Sequence, residues 1–315
     1  MNIAKRVPNL ICIGMEKSGT TFLNAVFKKS QSVLTPTKKE LFYYNLHYDQ
    51  GLDWYLSWYD YNSKPDAAYV CDVTPSYFRR REAISRIKET SPDAKLLVLI
   101  RHPVYRAFSH YIHRLRHVGL KLENYPSSFQ EVFEGANGKR DVFPPYYETL
   151  SLWLEEFKRE DILFLSYESE LFDPDKVEQK MHDFLGIDDL DFGQFRGTRI
   201  NNGKMPKFYY GGVYGKKVTI NEREFLIPKD TLVFAHVKGT KVWSDIEPVQ
   251  ANMALEASAH WTAKLSSDEV RQIYDNFYAR DIALFNSTFD VDVSAWLKSE
   301  PVSYRAAHPG DQFLL

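Results

Sequence analysis

NLICIGMEKSGTTFLNAVFKK, Asn9–Lys29, reads as a strand, a tight loop and a helix in immediate succession. Asn9–Gly14 is a short apolar run ended by glycine, the pattern of a buried parallel strand. From Thr20 onward Phe22, Leu23, Val26 and Phe27 recur at helical spacing. Between the two, Gly14–Thr21 nearly fits the phosphate-loop pattern G-x-x-x-x-G-K-[ST]. Gly14 and Gly19 stand at the required separation and Thr21 fills the hydroxyl position, but Thr20 occupies the lysine position. The lysine comes early, at Lys17. A strand, a glycine-bounded loop and a helix together aim the backbone N–H groups of Ser18, Gly19, Thr20 and Thr21 at an anion.

The rest of the first two hundred residues extends this pattern. Ala67–Val73, Ala94–Ile100 and Asp161–Tyr167 read as further strands. Helices are expected over about Arg80–Thr90, from Pro103 to His117 and around Asp175–Leu185. Alternation of this kind predicts a three-layer α/β fold, a parallel sheet flanked by helices around a P-loop-like nucleotide site. Beyond Asn201 the composition shifts to Gly, Tyr, Lys and β-branched residues, and residues 207–245 suggest two or three short strands or an ordered loop. One helix is expected to return over Ser267–Phe285. The chain is read as a single domain, 1–315, with an acceptor-site or lid insert around 203–262.

Composition narrows the function. A net charge of −2 gives no overall basic field for nucleic acid, so an anion site must be a local cluster. The two cysteines, Cys12 and Cys71, lie in apolar strands and are expected to be buried reduced thiols; two thiols alone cannot make a zinc site. No apolar run reaches the roughly 18 residues of a membrane span, and the first residues lack the apolar core of a signal peptide. The expectation is a cytoplasmic chain with no integral membrane segment, unless it is the lumenal part of a longer protein.

A second cluster lies in LIRHPVYRAFSHYIH, Leu99–His113. Arg101 ends a buried strand, where α/β sheets bind ligands, and Ser109 follows two turns into the next helix. Together they can fork a phosphate oxygen. Lys17, inside its loop, suits the bridging oxygen between two groups of a short anhydride. A metal-dependent small-molecule kinase is the main alternative, with Asp72 as metal ligand. A non-catalytic nucleotide or glycan-binding module is another.

K-S-G-T-T at Lys17–Thr21, T-P-S-Y-F at Thr74–Phe78 and R-x7-S at Arg101 and Ser109 together resemble the sulfotransferase superfamily. The resemblance covers roughly residues 9–200 and again 265–297, with Glu168 in its usual place. It implies 3′-phosphoadenosine 5′-phosphosulfate as donor, the corresponding 3′,5′-bisphosphate as product, and no metal. The loop would hold the phosphosulfate and the Arg101/Ser109 pair the 3′-phosphate. KELFYYNLHYDQGLDWYLSWY, Lys39–Tyr59, is similar to the heparan sulfate branch, which implies that Glu40 is the base for the acceptor. Phe42 stands where some members carry histidine, and Val73 where some carry lysine. His47 is the alternative base.

A carbohydrate is the first-choice acceptor, and a glycolipid or small metabolite the others. Among the nearby rings, Trp54 and Trp58 are expected in the core, and Tyr43, Tyr44 and Tyr77 nearer the cleft. In KFYYGGVYGKK, Lys207–Lys217, Tyr209 and Lys216 are further candidates for holding the donor nucleotide.

Overall fold

The computed structural model describes residues 5–117, 129, 133, 145–195, 210–211, 217–220, 223–226, 232–233, 262–297 and 302–305. The chain divides into two compact units. Met1–Arg106, Pro144–Asn201 and Tyr274–Lys298 make the first; Ala107–Phe143, Asn202–Ile273 and Ser299–Leu315 make the second.

The first unit opens with β1 (Leu10–Gly14), α1 (Thr20–Lys29), β2 (Val33–Leu34), α2 (Tyr43–Leu46) and α3 (Gly51–Leu56). It continues with β3 (Tyr69–Val73), α4 (Arg81–Thr90) and β4 (Lys95–Ile100). Helix α5 (Pro103–His117) begins in this unit and runs on into the second. α6 (Tyr146–Leu154), β5 (Ile162–Ser166) and α7 (Pro174–Leu185) belong to the first again. The five strands form one parallel sheet in the order β2-β3-β1-β4-β5. This is the parallel α/β architecture with flanking helices that the strand–helix alternation predicts. Strand β1 is central, so the loop at its carboxyl end is flanked by the ends of β3 and β4, the place where open α/β sheets bind ligands.

Alternate strand residues face opposite sides of the sheet. Leu10, Cys12, Cys71, Val73, Leu97, Leu99 and Leu165 form one core with Phe22, Leu23, Val26 and Phe27 of α1 and Val177, Met181 and Leu185 of α7. Both cysteines are free and buried, as expected, and burial pushes the Cys12 thiol up to about 12. Ile11, Ile13, Leu96 and Val98 are buried on the other side.

Helix α1 is held firmly at its far end. The Lys64 amine donates to the carbonyls of Phe27 (3.5 Å), Lys28 (3.1 Å), Ser30 (2.5 Å) and Val33 (2.9 Å). A cation on the last carbonyls of a helix satisfies groups that have no partner within it. The Asp189 carboxylate accepts from the Ser30 hydroxyl and the Gln31 and Ser32 amides, fixing the turn into β2.

In the second unit β6 (Tyr210–Gly211) pairs antiparallel with β9 (Leu232–Val233), and β7 (Lys217–Ile220) with β8 (Arg223–Leu226). The described residues of 207–245 thus hold four short strands. β10 (Thr262–Leu265) pairs antiparallel with β11 (Val302–Arg305); α8 (Ser267–Phe277) begins in the second unit and ends in the first, to which α9 (Ala279–Phe289) belongs.

The helix expected over Ser267–Phe285 is therefore two helices. The break is at Tyr278, at φ −125°. Its cause is a phase slip in the apolar stripe. Val270 and Ile273 are buried, Phe277 is exposed, and burial resumes at Tyr278, Ile282, Phe285 and Phe289. On the sheet, Phe164 of β5 meets Phe285 and Phe289 of α9 at ring distances of 5.6 and 5.4 Å.

Candidate active site

The loop after β1 is anchored before it turns. The Met15 amide donates to the Leu99 carbonyl of β4 (2.9 Å), and the Ser18 amide closes the turn on the Met15 carbonyl (3.2 Å). Lys17 (φ 69°) and Gly19 (φ 98°) are both left-handed. At Gly19 a side chain is excluded twice, by this conformation and by space: a Cβ would lie 2.3 Å from Leu171 Cδ2. Helix α1 starts at Thr20, so its first-turn amides have no intrahelical acceptor. Ser18 is fully buried and its hydroxyl has no hydrogen-bond partner. Thr20 is buried, while Lys17 and Thr21 are partly exposed. An orphan hydroxyl beside unsatisfied amides and a lysine is the donor set an oxyanion needs, so the residues present fit a phosphosulfate.

Arg101 follows β4 directly. Its Nη1 donates to the Lys17 carbonyl (3.0 Å), and its guanidinium lies 4.3 Å from the Tyr167 ring centre. Nε is 3.9 Å from Glu168 Oε1 and makes no hydrogen bond. Glu168 accepts from the His102 amide (2.9 Å) and from the Trp296 indole N–H (3.0 Å). Burial raises the Glu168 carboxyl above the usual range, against the opposing pull of the His102 amide, Arg101 and Trp296. The Tyr146 hydroxyl donates to the Arg101 carbonyl (2.6 Å), and Arg106 Nε donates to the Tyr146 hydroxyl (3.0 Å). Tyr167 continues into a ring cluster with Phe172 (5.0 Å) and Phe22 (5.2 Å from Phe172); Phe172 is exposed.

Sequence reasoning missed Tyr167, Phe172 and Trp296. The first of them was within reach, because β5 neighbours β4 and Tyr167 follows β5 as Arg101 follows β4. Ser109 is partly buried further along α5, in the second unit. Tyr209 and Lys216 lie outside the described residues.

On the other flank of β1, Glu40 (φ 61°) and Phe42 (φ 54°) are left-handed on either side of buried Leu41. The Glu40 carboxylate pairs with the Lys39 amine, and its side chain is 37% exposed against 16% for Lys39. The field of Lys39 reaches both Asp72 and Cys12, and that of Glu40 reaches Cys12. The pair lies in the segment between β2 and α2, which leaves the parallel sheet at its carboxyl edge. His47 is exposed, with its ring 5.4 Å from that of Trp54.

Asp72 is buried, and its oxygens are occupied. They accept from the hydroxyls of Tyr55 (2.7 Å), Tyr77 (2.9 Å) and Thr74 (2.7 Å). Burial raises its carboxyl, and the three hydroxyl bonds oppose that rise. A carboxylate committed to three protein hydroxyls is framework rather than a metal ligand, so Asp72 does not serve the kinase alternative.

The ring assignment is corrected in the same place. Tyr43, Tyr44 and Tyr77 are buried, and Tyr43 stacks on Tyr55 at 4.2 Å. Trp54 and Trp58 are only half-buried.

A model of the sulfotransferase domain family matches residues 8–205. The membrane-associated sulfotransferase kil1 of Dictyostelium discoideum is 25% identical over 278 residues, covering 62% of this chain and 59% of that protein. Heparan sulfate glucosamine 3-O-sulfotransferase 6 of Homo sapiens is 32% identical over 189 residues, covering 58% and 53%. The chain thus spans little more than half the length of these relatives. The crystal structure of a sulfotransferase from Alicyclobacillus acidocaldarius shares the fold, with a TM-score of 0.56, 19% identity, and coverage of 93% of this chain and 99% of that one. No helix among the described residues is long and apolar enough to cross a membrane. With a family match over more than half its length, and the strand–loop–helix and Arg101 geometry in place, the chain belongs to the sulfotransferase domain family.

Proposed function

We propose that the chain transfers a sulfuryl group from 3′-phosphoadenosine 5′-phosphosulfate to a hydroxyl or amino group of an acceptor, with a carbohydrate as the first class. The observation that carries this reading is the left-handed Lys17–Gly19 loop, with an orphan Ser18 hydroxyl, clipped to Arg101. Lys17, Ser18, Gly19, Thr20 and Thr21 hold the phosphosulfate. Arg101 and Ser109 take the 3′-phosphate, and Tyr209 and Lys216 add further contacts to the nucleotide. The exposed edge of the Tyr167–Phe172 pair beside Arg101 offers an apolar face to the purine.

In the transfer, an S–O bond to an acceptor hydroxyl, or an S–N bond to an acceptor amine, forms as the S–O bond to the bridging oxygen breaks. Glu40 takes the acceptor's proton, and Lys17 meets the negative charge that builds on the departing phosphate. His47 is the second-ranked base. The rest of the work is positioning. Residues 203–262 are the proposed acceptor-binding insert. The heparan sulfate relatives favour a carbohydrate, while Phe42 and Val73 mark an acceptor side that departs from some members of that branch.

The test is a thermal shift with 3′-phosphoadenosine 5′-phosphate against ADP and ATP, each with and without Mg²⁺. A ligand at a hundredfold its Kd stabilises by about 2.7 kcal/mol. Stabilisation by the 3′-phosphorylated nucleotide without metal supports the reading. Stabilisation by ATP only with Mg²⁺ overturns it in favour of a kinase.

A further inference from the structure

We propose that Arg101 serves both halves of the donor site: besides facing the 3′-phosphate, it latches the phosphosulfate loop through the Lys17 carbonyl, with Glu168 as the residue that positions it. The inference rests on the sulfotransferase reading and adds a coupling between the two ends of the donor.

The peptide between Lys17 and Ser18 is pinned at both ends. Its carbonyl accepts from Arg101 Nη1 (3.0 Å), and its N–H donates to the Met15 carbonyl (3.2 Å). Lys17 is left-handed at φ 69°, a region that residues other than glycine seldom adopt. A peptide in that setting needs an external partner to stay there, and Arg101 is the partner. The orientation of this one peptide places both the Lys17 side chain and the buried Ser18 hydroxyl.

Arg101 is itself held from every side. The Tyr146 hydroxyl holds its carbonyl (2.6 Å). The next amide, that of His102, bonds Glu168 (2.9 Å). The guanidinium lies over the Tyr167 ring, and its Nε faces Glu168 Oε1 at 3.9 Å. The second oxygen of Glu168 is fixed by the Trp296 indole (3.0 Å). A guanidinium has five N–H donors in a rigid fork. One goes to Lys17 and Nε makes no hydrogen bond, which leaves capacity for a phosphate without releasing the loop. A lysine at this position lacks the rigid planar fork that aims one donor at the Lys17 carbonyl and another at a phosphate.

The experiment compares binding of 3′-phosphoadenosine 5′-phosphate and of adenosine 5′-phosphosulfate, which lacks the 3′-phosphate. The proteins are the wild type, Arg101→Ala, Arg101→Lys and Glu168→Gln. If Arg101 touched only the 3′-phosphate, the second ligand would bind Arg101→Ala as it binds wild type. The latch predicts that this ligand weakens too, by about two- to tenfold, the size of one net hydrogen bond. Arg101→Lys shows a loss for at least one ligand, and Glu168→Gln a smaller loss for both.

Hydrogen exchange on the ligand-free proteins reads the latch independently. Amides 18–21 exchange faster in Arg101→Ala, while those of β1 and β4 do not change. Equal affinity of wild type and Arg101→Ala for adenosine 5′-phosphosulfate, with unchanged loop exchange, overturns the inference. Failure of the wild type to bind either nucleotide overturns the donor reading instead, and loop exchange alone then decides whether the latch exists.

Discussion

The loop after β1 and the turn after β2 lie at the same carboxyl edge of the sheet, yet they treat polar groups in opposite ways. In the loop, the Ser18 hydroxyl is buried without a partner and the Arg101 Nε is unbonded. Beside the turn, Asp72 is as deeply buried, but three hydroxyls use its oxygens, and Tyr77 also accepts the Tyr44 amide (3.4 Å). A buried polar group left unmade costs free energy, so it persists where a ligand completes it. A buried group that is fully satisfied gives shape instead. The first region keeps open the bonds that the proposed donor would complete. The second is a frame of hydroxyls around one carboxylate.

That contrast can be broken experimentally, and the largest expected effect is at Glu40. Glu40→Gln lowers kcat by about 10²–10⁴, the usual contribution of a general base, and leaves donor affinity intact. Unchanged turnover in a steady-state assay removes Glu40 as the base.

Next is Gly19→Ala. The left-handed φ and the contact with Leu171 together cost about 2–4 kcal/mol of stability by denaturant titration, with loss of donor binding. A variant as stable as wild type would show that the loop yields.

Ser18→Ala sharpens the comparison because its two signs are opposite. Deleting an orphan hydroxyl stabilises the ligand-free chain by about 1 kcal/mol, while the thermal shift given by 3′-phosphoadenosine 5′-phosphate shrinks. Movement of both in the same direction contradicts a hydroxyl reserved for the ligand.

The smallest effect belongs to the frame. Burial holds the Asp72 carboxyl above its ordinary value, so the folded chain binds that proton more tightly than the unfolded chain. Its stabilising contribution is complete below the unfolded value and is lost as pH rises through the folded one. As pH rises from the ordinary carboxylate range through the raised folded value, wild type therefore loses stability relative to Asp72→Asn, as read by denaturant titration over a series of pH values. Parallel stability curves for the two proteins would argue against a raised Asp72.

Most of the first unit was legible because its signals are local. Apolar runs ended by glycine or proline gave the strands, and 3.6-residue spacing gave the helices around the site. The loop was legible too, since glycine and threonine positions report backbone geometry. Two assignments failed where spacing is ambiguous. Trp54/Trp58 and Tyr55/Tyr59 are adjacent pairs at the same i, i+4 interval, and periodicity cannot say which faces inward. The hydroxyls decide it: Tyr55 reaches Asp72 and Tyr59 reaches the Cys71 carbonyl (3.2 Å), whereas the Trp58 indole N–H finds no partner. The break at Tyr278 escaped for a related reason, since a one-residue slip in an apolar stripe leaves composition unchanged. The roles of Trp296 and Glu168 depend on contacts between residues far apart in the chain, which no local window contains.

Helix α1 begins at the Lys17–Gly19 loop and is fastened at its last turn by Lys64. One ammonium gathers four carbonyls there, so the helix behaves as a post set in a socket. Fraying, which normally starts at helix ends, is blocked at the end remote from the chemistry. At the other end the Lys17–Ser18 peptide is held by Arg101 and by the Met15 carbonyl, so the helix is fastened at both ends. A neutralised Lys64 would release the last turn of α1 while leaving the Lys17–Ser18 fastening in place.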